Sequence, residues 1–166
     1  MNIIVVGAGA SGIIAALRLS QKYDVTLLEK NDRCCKKILI TGNGKCNYWN
    51  KNIDIFKYNT DSKENLEKIL KRKEETFEFL SNLGIYPMIK DDYYYPHSQS
   101  SLSIKEIFTR FLEKKVNVKY NTEVLDVKKD KNKFKVITNN GEYCCDKLVL
   151  ALGSSTSYLK KNSKVC

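Results

Sequence analysis

The sequence predicts an α/β fold built on a parallel β-sheet, and three observations near the N-terminus lead to this prediction. Ile3 to Val6 is an unbroken aliphatic run, which is typical of a parallel strand buried on both faces. Residues 11–22 then place apolar side chains at a helical period, and a second aliphatic run follows at Val25 to Leu28. A strand, a helix and a strand in this order predict two parallel strands joined by the helix.

Three glycines separate the first predicted strand from the helix. Gly7, Gly9 and Gly12 have the G-x-G-x-x-G spacing, in which the first permits a tight turn, the second lets a pyrophosphate approach the backbone, and the third lets the helix pack on the strand. The helix N-terminus also offers free N–H groups and a positive dipole end to an anion. The motif therefore predicts a dinucleotide site; the alternative is a glycine-rich turn without a ligand.

Glu29 closes the second predicted strand. An acidic residue about 20 residues after the glycines accepts hydrogen bonds from the two hydroxyls of a ribose. Its charge would repel a 2′-phosphate. Glu29 therefore favours an unphosphorylated ribose, as in FAD or NAD, over the ribose of NADP.

Length and composition predict one cytoplasmic domain. The 166 residues suit a single domain with its own core. No apolar run reaches the roughly 18 residues of a membrane span, and the chain starts without a basic leader. The net charge of +10 raises a nucleic-acid hypothesis, but the lysines are scattered and mostly lie beside acids. We expect no nucleic acid and no membrane as partner, and Tyr93 to Tyr95 is the single candidate for base stacking.

The cysteines and the single histidine narrow the chemistry further. Six cysteines, at positions 34, 35, 46, 144, 145 and 166, include no C-x-x-C pair. With His97 as the sole histidine, the sequence predicts no metal site and no Ser-His-Asp arrangement. We expect free thiols, because neighbouring cysteines do not easily close an unstrained disulfide. His97 is expected in an exposed turn, and Cys46 is either a small buried residue or a redox thiol.

A second glycine-bearing segment spans residues 38–47. Gly42 and Gly44, on either side of Asn43, allow positive φ and expose backbone N–H groups, while Lys37 and Lys45 supply positive charge. Such a segment could cover a phosphate or a flavin edge. The alternative is a plain type I′ or II′ turn, and local chemistry leaves both open.

The remaining elements follow from periodicity. One amphipathic helix is predicted from Ser62 to Leu83, ended by Gly84, with its apolar stripe packed into the core. A parallel strand followed by a three-stranded antiparallel meander is predicted in the C-terminal part. The predicted ranges are strands at 85–89 and 93–95 around a turn at 90–92, a helix at 103–115, and strands at 116–120, 122–128, 133–138, 142–146 and 147–152.

Four segments together resemble a known family. They are G-A-G-A-S-G at 7–12, L-E-K-N at 28–31, K-K-I-L-I-T-G-N-G-K-C-N at 36–47 and Y-P-H-S at 95–98. The chain resembles the BaiN/RdsA-type family of bacterial NAD(P)/FAD-dependent flavoproteins, some of whose members are described as aminoacetone oxidase-like. The T-G-N-G-K-C-N segment is the most specific of the four, and the resemblance favours a cofactor-facing loop there.

The resemblance implies a Rossmann-type FAD/NAD(P)-binding fold and a set of cofactor-binding residues. It implies no metal site and assigns no catalytic residue. Three departures stand out: Cys35 occupies a usual glycine position, Leu152 replaces a threonine, and tyrosines replace an arginine before Pro96. The implied cofactor-binding residues are Gly7, Gly9, Ser11 and Gly12 at the pyrophosphate, Glu29 at the adenosine ribose, Val124 as a backbone contact to the adenine, Lys37, Thr41, Gly42, Asn43, Gly44, Cys46 and Asn47 near the cofactor, and also Ala10, Lys30 and Gly153.

These arguments lead to a functional hypothesis. We expect residues 1–166 to be a single FAD-binding domain, the N-terminal half of a flavin-dependent oxidoreductase that transfers hydride or electrons through FAD. NAD(P)H is a candidate electron donor, and the small-molecule substrate is unidentified. Relatives continue into a substrate domain and a returning FAD-binding segment, so the fold is expected to be incomplete at its C-terminus. The alternative is a non-catalytic dinucleotide-binding fragment, either a truncated product or one that needs a second chain.

Overall fold

The computed structural model describes residues 1–153 and divides into two compact units. Of the described residues, the first unit comprises Met1–Lys36 and 108–153, and the second comprises Lys37–Ile107. In chain order the elements are β1 (Asn2–Val6), α1 (Ala10–Leu19), β2 (Asp24–Leu28), a 3₁₀ segment (Ile38–Gly44), β3 (Trp49–Asn50), a 3₁₀ turn (Ile55–Lys57), α2 (Lys63–Leu70), α3 (Lys73–Asn82), β4 (Pro87–Lys90), β5 (Tyr93–Pro96), α4 (Ser101–Lys115), β6 (Asn117–Lys119), β7 (Val124–Asp130), β8 (Lys133–Thr138), β9 (Gly141–Cys145) and β10 (Lys147–Leu150).

A four-stranded parallel sheet organises the first unit, in the order β10-β1-β2-β6. In the registers, Ile3 of β1 lies opposite Val25 of β2 on one side and Lys147 of β10 on the other. The two aliphatic runs are therefore adjacent parallel strands joined by α1, which confirms the predicted α/β class. The helix is shorter than predicted and ends at Leu19, where the Ser20 N–H donates to the Ala16 carbonyl.

The antiparallel meander β7-β8-β9 packs on one face of this sheet. The shared core contains Ile4, Val6 and Leu28 from the parallel strands and Val136 and Cys145 from the meander, all buried. Side chains alternate across a strand, so the odd-numbered residues of β1 face the other way. The helix α1 contacts β1 and β2. The predicted combination of parallel sheet, helix and meander is thus present, and β6 and β10 are shorter than the predicted 116–120 and 147–152.

The second unit contains a small antiparallel sheet in the order β3-β5-β4. The β4–β5 hairpin turns at Asp91 and Asp92, which both have positive φ (50° and 65°), as a two-residue type I′ turn requires. The Phe77 ring lies against the rings of Trp49 and Tyr94, with centroids 5.5 and 5.7 Å away. This aromatic cluster joins α3 to the sheet. His97 is exposed after β5, as predicted.

The prediction of one helix from Ser62 to Leu83 was wrong, because α2 and α3 are separate helices. Arg72 leaves helical geometry (φ −106°, ψ 14°), and its guanidinium donates two hydrogen bonds to Glu75 in the first turn of α3. The predicted core stripe was also wrong for α2, which buries no residue and leaves Ile69 67% exposed. In α3, Phe79 and Leu80 are buried, and Gly84 follows its C-terminus with φ +89°.

Two further findings concern the described part of the chain. Within residues 1–153, no helix is long and apolar enough to cross a membrane. No disulfide joins the cysteines of that range, Cys34, Cys35, Cys46, Cys144 and Cys145, as predicted. Cys166, which the sequence also predicts to be a free thiol, lies outside the described residues.

Candidate dinucleotide-binding site

Two of the three glycines in the turn after β1 are required by the protein's own packing. Gly7 has φ +100°, and a Cβ placed on it would stand 2.5 Å from the Ala151 carbonyl oxygen. A Cβ on Gly12 would stand 1.8 Å from the Gly7 carbonyl oxygen. Any side chain at either position would force backbone to move. These contacts hold the start of α1 close against the ends of β1 and β10.

Gly9 differs from its two neighbours in the motif. It has ordinary extended backbone angles (φ −82°, ψ −175°) and is the N-cap residue of α1. No heavy atom of residues 1–153 lies within 4 Å of a Cβ built on it. Neither backbone strain nor protein packing therefore requires glycine here, and the open face lies at the N-terminus of the helix. Ala10 and Ser11, the first two residues of α1, are exposed at the same place.

Glu29 is buried and connects the turn to the loop after β2. Its Oε2 accepts a hydrogen bond of 2.7 Å from the Ala8 N–H, and its Oε1 accepts one of 2.8 Å from the Asn31 N–H. The Asn31 side-chain amide also donates to Oε1. Each carboxylate oxygen has two lone-pair positions, so Oε2 retains room for one more donor. Sequence reasoning predicted a ribose contact but missed that Glu29 also holds protein backbone.

The other predicted residues of the first unit lie at or near the same sheet edge. Because β1, β2 and β10 are parallel, the segments that follow them, including Gly7, Glu29 and Gly153, leave the sheet at one edge, where ligands bind in open α/β sheets. Gly153 is exposed with φ +72°. Lys30 is exposed beside Glu29. Val124 opens β7, where its half-buried side chain packs against the sheet–meander core.

The second unit contains the T-G-N-G-K-C-N segment. Its 3₁₀ segment is interrupted at Thr41 (ψ 146°), and Gly42 and Asn43 both adopt left-handed angles, with φ 55° and 54°. The Lys45 and Cys46 N–H groups donate back to the Gly42 and Thr41 carbonyls. This is the geometry of a tight turn with exposed polar backbone. The role of the segment toward a cofactor remains a prediction. Predicted residues in this unit that are exposed are Lys37, Thr41, Gly42, Asn43 and Asn47, whereas Gly44 is half-buried and Cys46 is buried.

Cys46 has the environment of a packing residue. It is buried with φ +58°, and burial raises the pKa of its thiol above the ordinary range. The neutral thiol therefore prevails near neutral pH, which is the opposite of what activates a redox cysteine. The Tyr48 hydroxyl is buried and lacks a hydrogen-bond partner among the described residues. Burial raises the pKa of Tyr48 to about 12.

Cys34 and Cys35 are both buried, which the sequence analysis did not predict, although it noted Cys35 at a usual glycine position. Cys35 adopts φ +65° and donates its N–H to the Ala8 carbonyl oxygen at 3.0 Å. The Cys34 Sγ lies 3.4 Å from the Thr109 Oγ1. Hydrogen bonds from the Cys35 thiol, Thr109 and Tyr120 lower the pKa of Cys34 to about 6, although burial opposes this shift. The sequence feature that could have indicated this backbone is Cys35 itself, which stands at a usual glycine position, and glycine is the residue that most readily adopts left-handed angles.

Comparison with known families places this geometry in context. The model of the HI0933-like protein Rossmann domain family matches residues 1–163, which is almost the whole chain. The chain belongs to this family. The assignment accounts for the parallel sheet, the glycine turn and the acid after β2 as parts of a dinucleotide-binding Rossmann domain.

Two curated relatives match a similar stretch. The 3-dehydro-bile acid delta(4,6)-reductase of Clostridium scindens is 31% identical over 159 residues, covering 92% of this chain and 39% of that protein. The ribosomal RNA dihydrouridine synthase of Escherichia coli K12 is 27% identical over 154 residues, covering 90% of this chain and 38% of that protein. The chain therefore spans less than half the length of these relatives.

Solved structures support the same fold at low sequence identity. The THI4 protein of Thermovibrio ammonificans superposes with a TM-score of 0.59 at 12% identity, covering 99% of this chain and 63% of that one. The L-proline dehydrogenase of P. horikoshii gives a TM-score of 0.53 at 17% identity, covering 92% and 22%. These likenesses concern the fold, and they agree with the Rossmann-type architecture described above.

Proposed function

We propose that this chain is the FAD-binding part of a flavin-dependent oxidoreductase. The observation that carries the proposal is the open face of Gly9. The protein's own packing explains Gly7 and Gly12 but leaves a cradle at Gly9 that any side chain would fill. A pyrophosphate lying against the backbone gives a physical reason for glycine at that position. Membership of the Rossmann-domain family supports a dinucleotide as the ligand.

The residues of the first unit suit the pyrophosphate and ribose of such a ligand. Backbone N–H groups at the start of α1, from Ala10 to Gly12, would hold the pyrophosphate with the dipole of the helix. The free position on the Glu29 Oε2 would accept from a ribose hydroxyl. Lys30, Val124 and Gly153 lie at or near the same edge and complete the proposed adenosine side. We assign no catalytic residue, because none of these groups holds or moves a proton in this arrangement.

The T-G-N-G-K-C-N segment of the second unit would contact a cofactor through its exposed backbone. Gly42 and Asn43 are exposed and left-handed, and a turn of this kind can offer backbone N–H groups to an anion or a ring carbonyl. When bound, the flavin supplies the hydride or electron transfer. The chain's own groups bind it and orient it. Lys37 and Lys45 add positive charge to this unit.

The activity of the whole protein is proposed from its relatives. The reductase activity in the name of the Clostridium scindens relative supports the oxidoreductase class, with NAD(P)H as candidate electron donor. We leave the substrate unassigned. The free thiols among residues 1–153 support a reducing, cytoplasmic compartment. The alternative function is that of a dinucleotide-binding chain that works only with a second chain.

A titration of the purified chain with FAD, followed by visible absorption and fluorescence, tests the proposal. We expect saturable binding of FAD, weaker binding of ADP, and weaker binding still of FMN, which lacks the pyrophosphate-linked adenosine. An NAD titration in parallel identifies which dinucleotide is preferred. Absence of binding by FAD, NAD and ADP alike would refute the dinucleotide site. Binding of FAD without reduction by NADH or NADPH, with reduction restored by a second chain, would favour the alternative.

A further inference from the structure

The carboxylate of Glu29 is largely occupied by hydrogen bonds from the protein itself. Its two oxygens have about four lone-pair positions between them. Oε2 accepts from the Ala8 N–H at 2.7 Å. Oε1 accepts from the Asn31 backbone N–H at 2.8 Å and also from the Asn31 side-chain amide. Among residues 1–153, both positions on Oε1 are therefore filled, and one position on Oε2 is left.

The orientation of the Asn31 side-chain amide is determined by its two partners. The Lys36 Nζ donates to the Asn31 Oδ1 at 2.9 Å, and an ammonium group has no acceptor. An ionised carboxylate such as that of Glu29 has no donor. A flipped amide would direct its NH₂ at the ammonium and its oxygen at the carboxylate, so both hydrogen bonds would be lost. The NH₂ group of Asn31 is therefore held on Oε1.

The backbone around Glu29 and Asn31 is anchored without the help of the Asn31 side chain. The Glu29 N–H donates to the Lys119 carbonyl at the end of β6, and the Glu29 carbonyl accepts from the Thr122 N–H, both at 2.9 Å. The Asn31 carbonyl accepts from the Asn121 N–H at 2.9 Å. A shorter side chain at Asn31 should therefore leave the path of this loop unchanged.

The remaining acceptor position limits how Glu29 can recognise a ribose. A carboxylate with a free position on each oxygen can accept from the 2′-hydroxyl and the 3′-hydroxyl together. With Oε1 filled, Glu29 can accept from one of them, through Oε2. Hydrogen bonds to a charged group are about twice as strong as those between neutral groups. Loss of the bonded hydroxyl should therefore weaken binding, and loss of the other should not.

We propose that Asn31 determines hydroxyl specificity, because its side chain occupies Oε1 and restricts Glu29 to one of the two hydroxyls of the adenosine ribose. The inference rests on the proposed function, since it concerns the ribose of the same dinucleotide. Asn31 is a positioning residue, which acts on the ligand through the Glu29 carboxylate. Lys36 supports it by fixing the orientation of the amide.

Calorimetric titration of the full-length wild-type chain with ADP, 2′-deoxy-ADP and 3′-deoxy-ADP tests the proposal without a substitution. We expect one deoxy compound to bind about tenfold or more weakly than ADP, and the other to bind within about twofold of ADP. Similar losses with both compounds, or no loss with either, would overturn the inference and leave the dinucleotide site in place. Absence of binding by ADP and FAD alike would instead refute the proposed function, and the inference with it.

The same three titrations on Asn31→Ala test the residue itself. The variant loses the side-chain donor and keeps the backbone N–H, so one position on Oε1 becomes free. We expect both deoxy compounds to bind this variant about tenfold or more weakly than ADP, because each hydroxyl then has an acceptor. A general loosening of the fold would lower all three affinities together and leave their ratios unchanged.

Asn52→Ala is the matched control for this variant. The Asn52 side-chain amide donates to a carboxylate too, that of Asp92 at 2.7 Å, but it lies in the second unit. Asn52→Ala should therefore keep the ratios of the wild type. Wild-type ratios in an Asn31→Ala chain that still binds ADP would overturn the role of Asn31. If Asn31→Ala does not fold, the wild-type titrations still decide whether one hydroxyl or both are recognised.

Discussion

Two substitutions in the glycine turn should have opposite effects on stability and ligand binding. Gly12→Ala adds a Cβ that would meet the Gly7 carbonyl oxygen at 1.8 Å, far inside any allowed contact. Gly9→Val adds a side chain where the described protein offers no neighbour within 4 Å. The first change should therefore damage the fold, and the second should damage only the site.

The expected change in the free energy of unfolding differs between the two substitutions. Replacing glycine by alanine inside a helix ordinarily adds about 1 kcal/mol of stability, but overpacking removes about 1–3 kcal/mol and sometimes more. Because the clashing atom at Gly12 is backbone, which cannot rotate away, we expect an overpacking loss at the upper end of this range, about 3 kcal/mol, and hence a net loss of about 2 kcal/mol. Gly9→Val changes an N-cap residue and should cost about 1 kcal/mol or less. For a chain of this size, each kcal/mol corresponds to roughly 2–4 °C in the melting temperature.

Gly9→Val should lower the affinity for FAD much more than it lowers the stability of the fold. The valine side chain would occupy the cradle at Gly9, so we expect Gly9→Val to lower FAD affinity by about a hundredfold, which corresponds to about 2.7 kcal/mol. Gly9→Ala should lie between wild type and valine, because its single methyl group fills less of the same space. A graded loss follows from steric exclusion of a pyrophosphate, whereas a general loss of structure would not depend on side-chain size in this way.

Urea denaturation, followed by circular dichroism, measures the first effect, and titration with FAD measures the second. Unchanged FAD affinity in Gly9→Val would refute the assignment of the cradle. A stability loss in Gly9→Val as large as that of Gly12→Ala would show that the open face is closed by the protein in solution.

Other consequences follow from individual contacts. Glu29→Gln should lower the free energy of unfolding by about 1–3 kcal/mol, because an amide NH₂ would then face the Ala8 or Asn31 donors. Urea denaturation measures this loss, and an unchanged midpoint would contradict it. Tyr48→Phe should be neutral or stabilising, because it removes a buried hydroxyl without a partner; a large loss in the melting temperature would indicate a missed partner. The Cys34 thiol, followed by ultraviolet absorbance of its thiolate, should titrate near pH 6. Because its pKa is lowered in the folded state, the stability it contributes grows as pH rises above 6 and is lost as pH falls through 6.

Local patterns carried enough information to predict the first unit. The aliphatic run of β1, the spacing of the glycines and the position of Glu29 each reflect contacts between neighbouring elements of the chain. The break between α2 and α3 could not be predicted in this way. The apolar residues continue at helical spacing across Arg72, and periodicity does not register that the backbone leaves helical geometry at this residue.

The sequence was enough to predict which residues form the candidate site, but not all of the contacts that these residues make. Spacing indicated an acid beside the turn, but which groups Glu29 holds depends on how the loop at Asn31 folds back, which is a three-dimensional fact. Likewise, two adjacent cysteines in a sequence do not show whether their sulfurs converge. Cys144 and Cys145 are successive residues of a strand and diverge, whereas Cys34 and Cys35 are both buried, with a left-handed backbone at Cys35.

Both backbone polar groups of Ala8, its N–H and its carbonyl, form hydrogen bonds within the protein. The N–H of Ala8 is bonded to the Glu29 carboxylate and its carbonyl to the Cys35 N–H. Both polar groups of this residue are therefore used by the protein, and the turn is fixed before a ligand arrives. A preformed turn lowers the entropy lost on binding. It also means that recognition must begin at Gly9, so a ligand cannot gain affinity by recruiting Ala8 without first breaking a bond that holds the loop after β2.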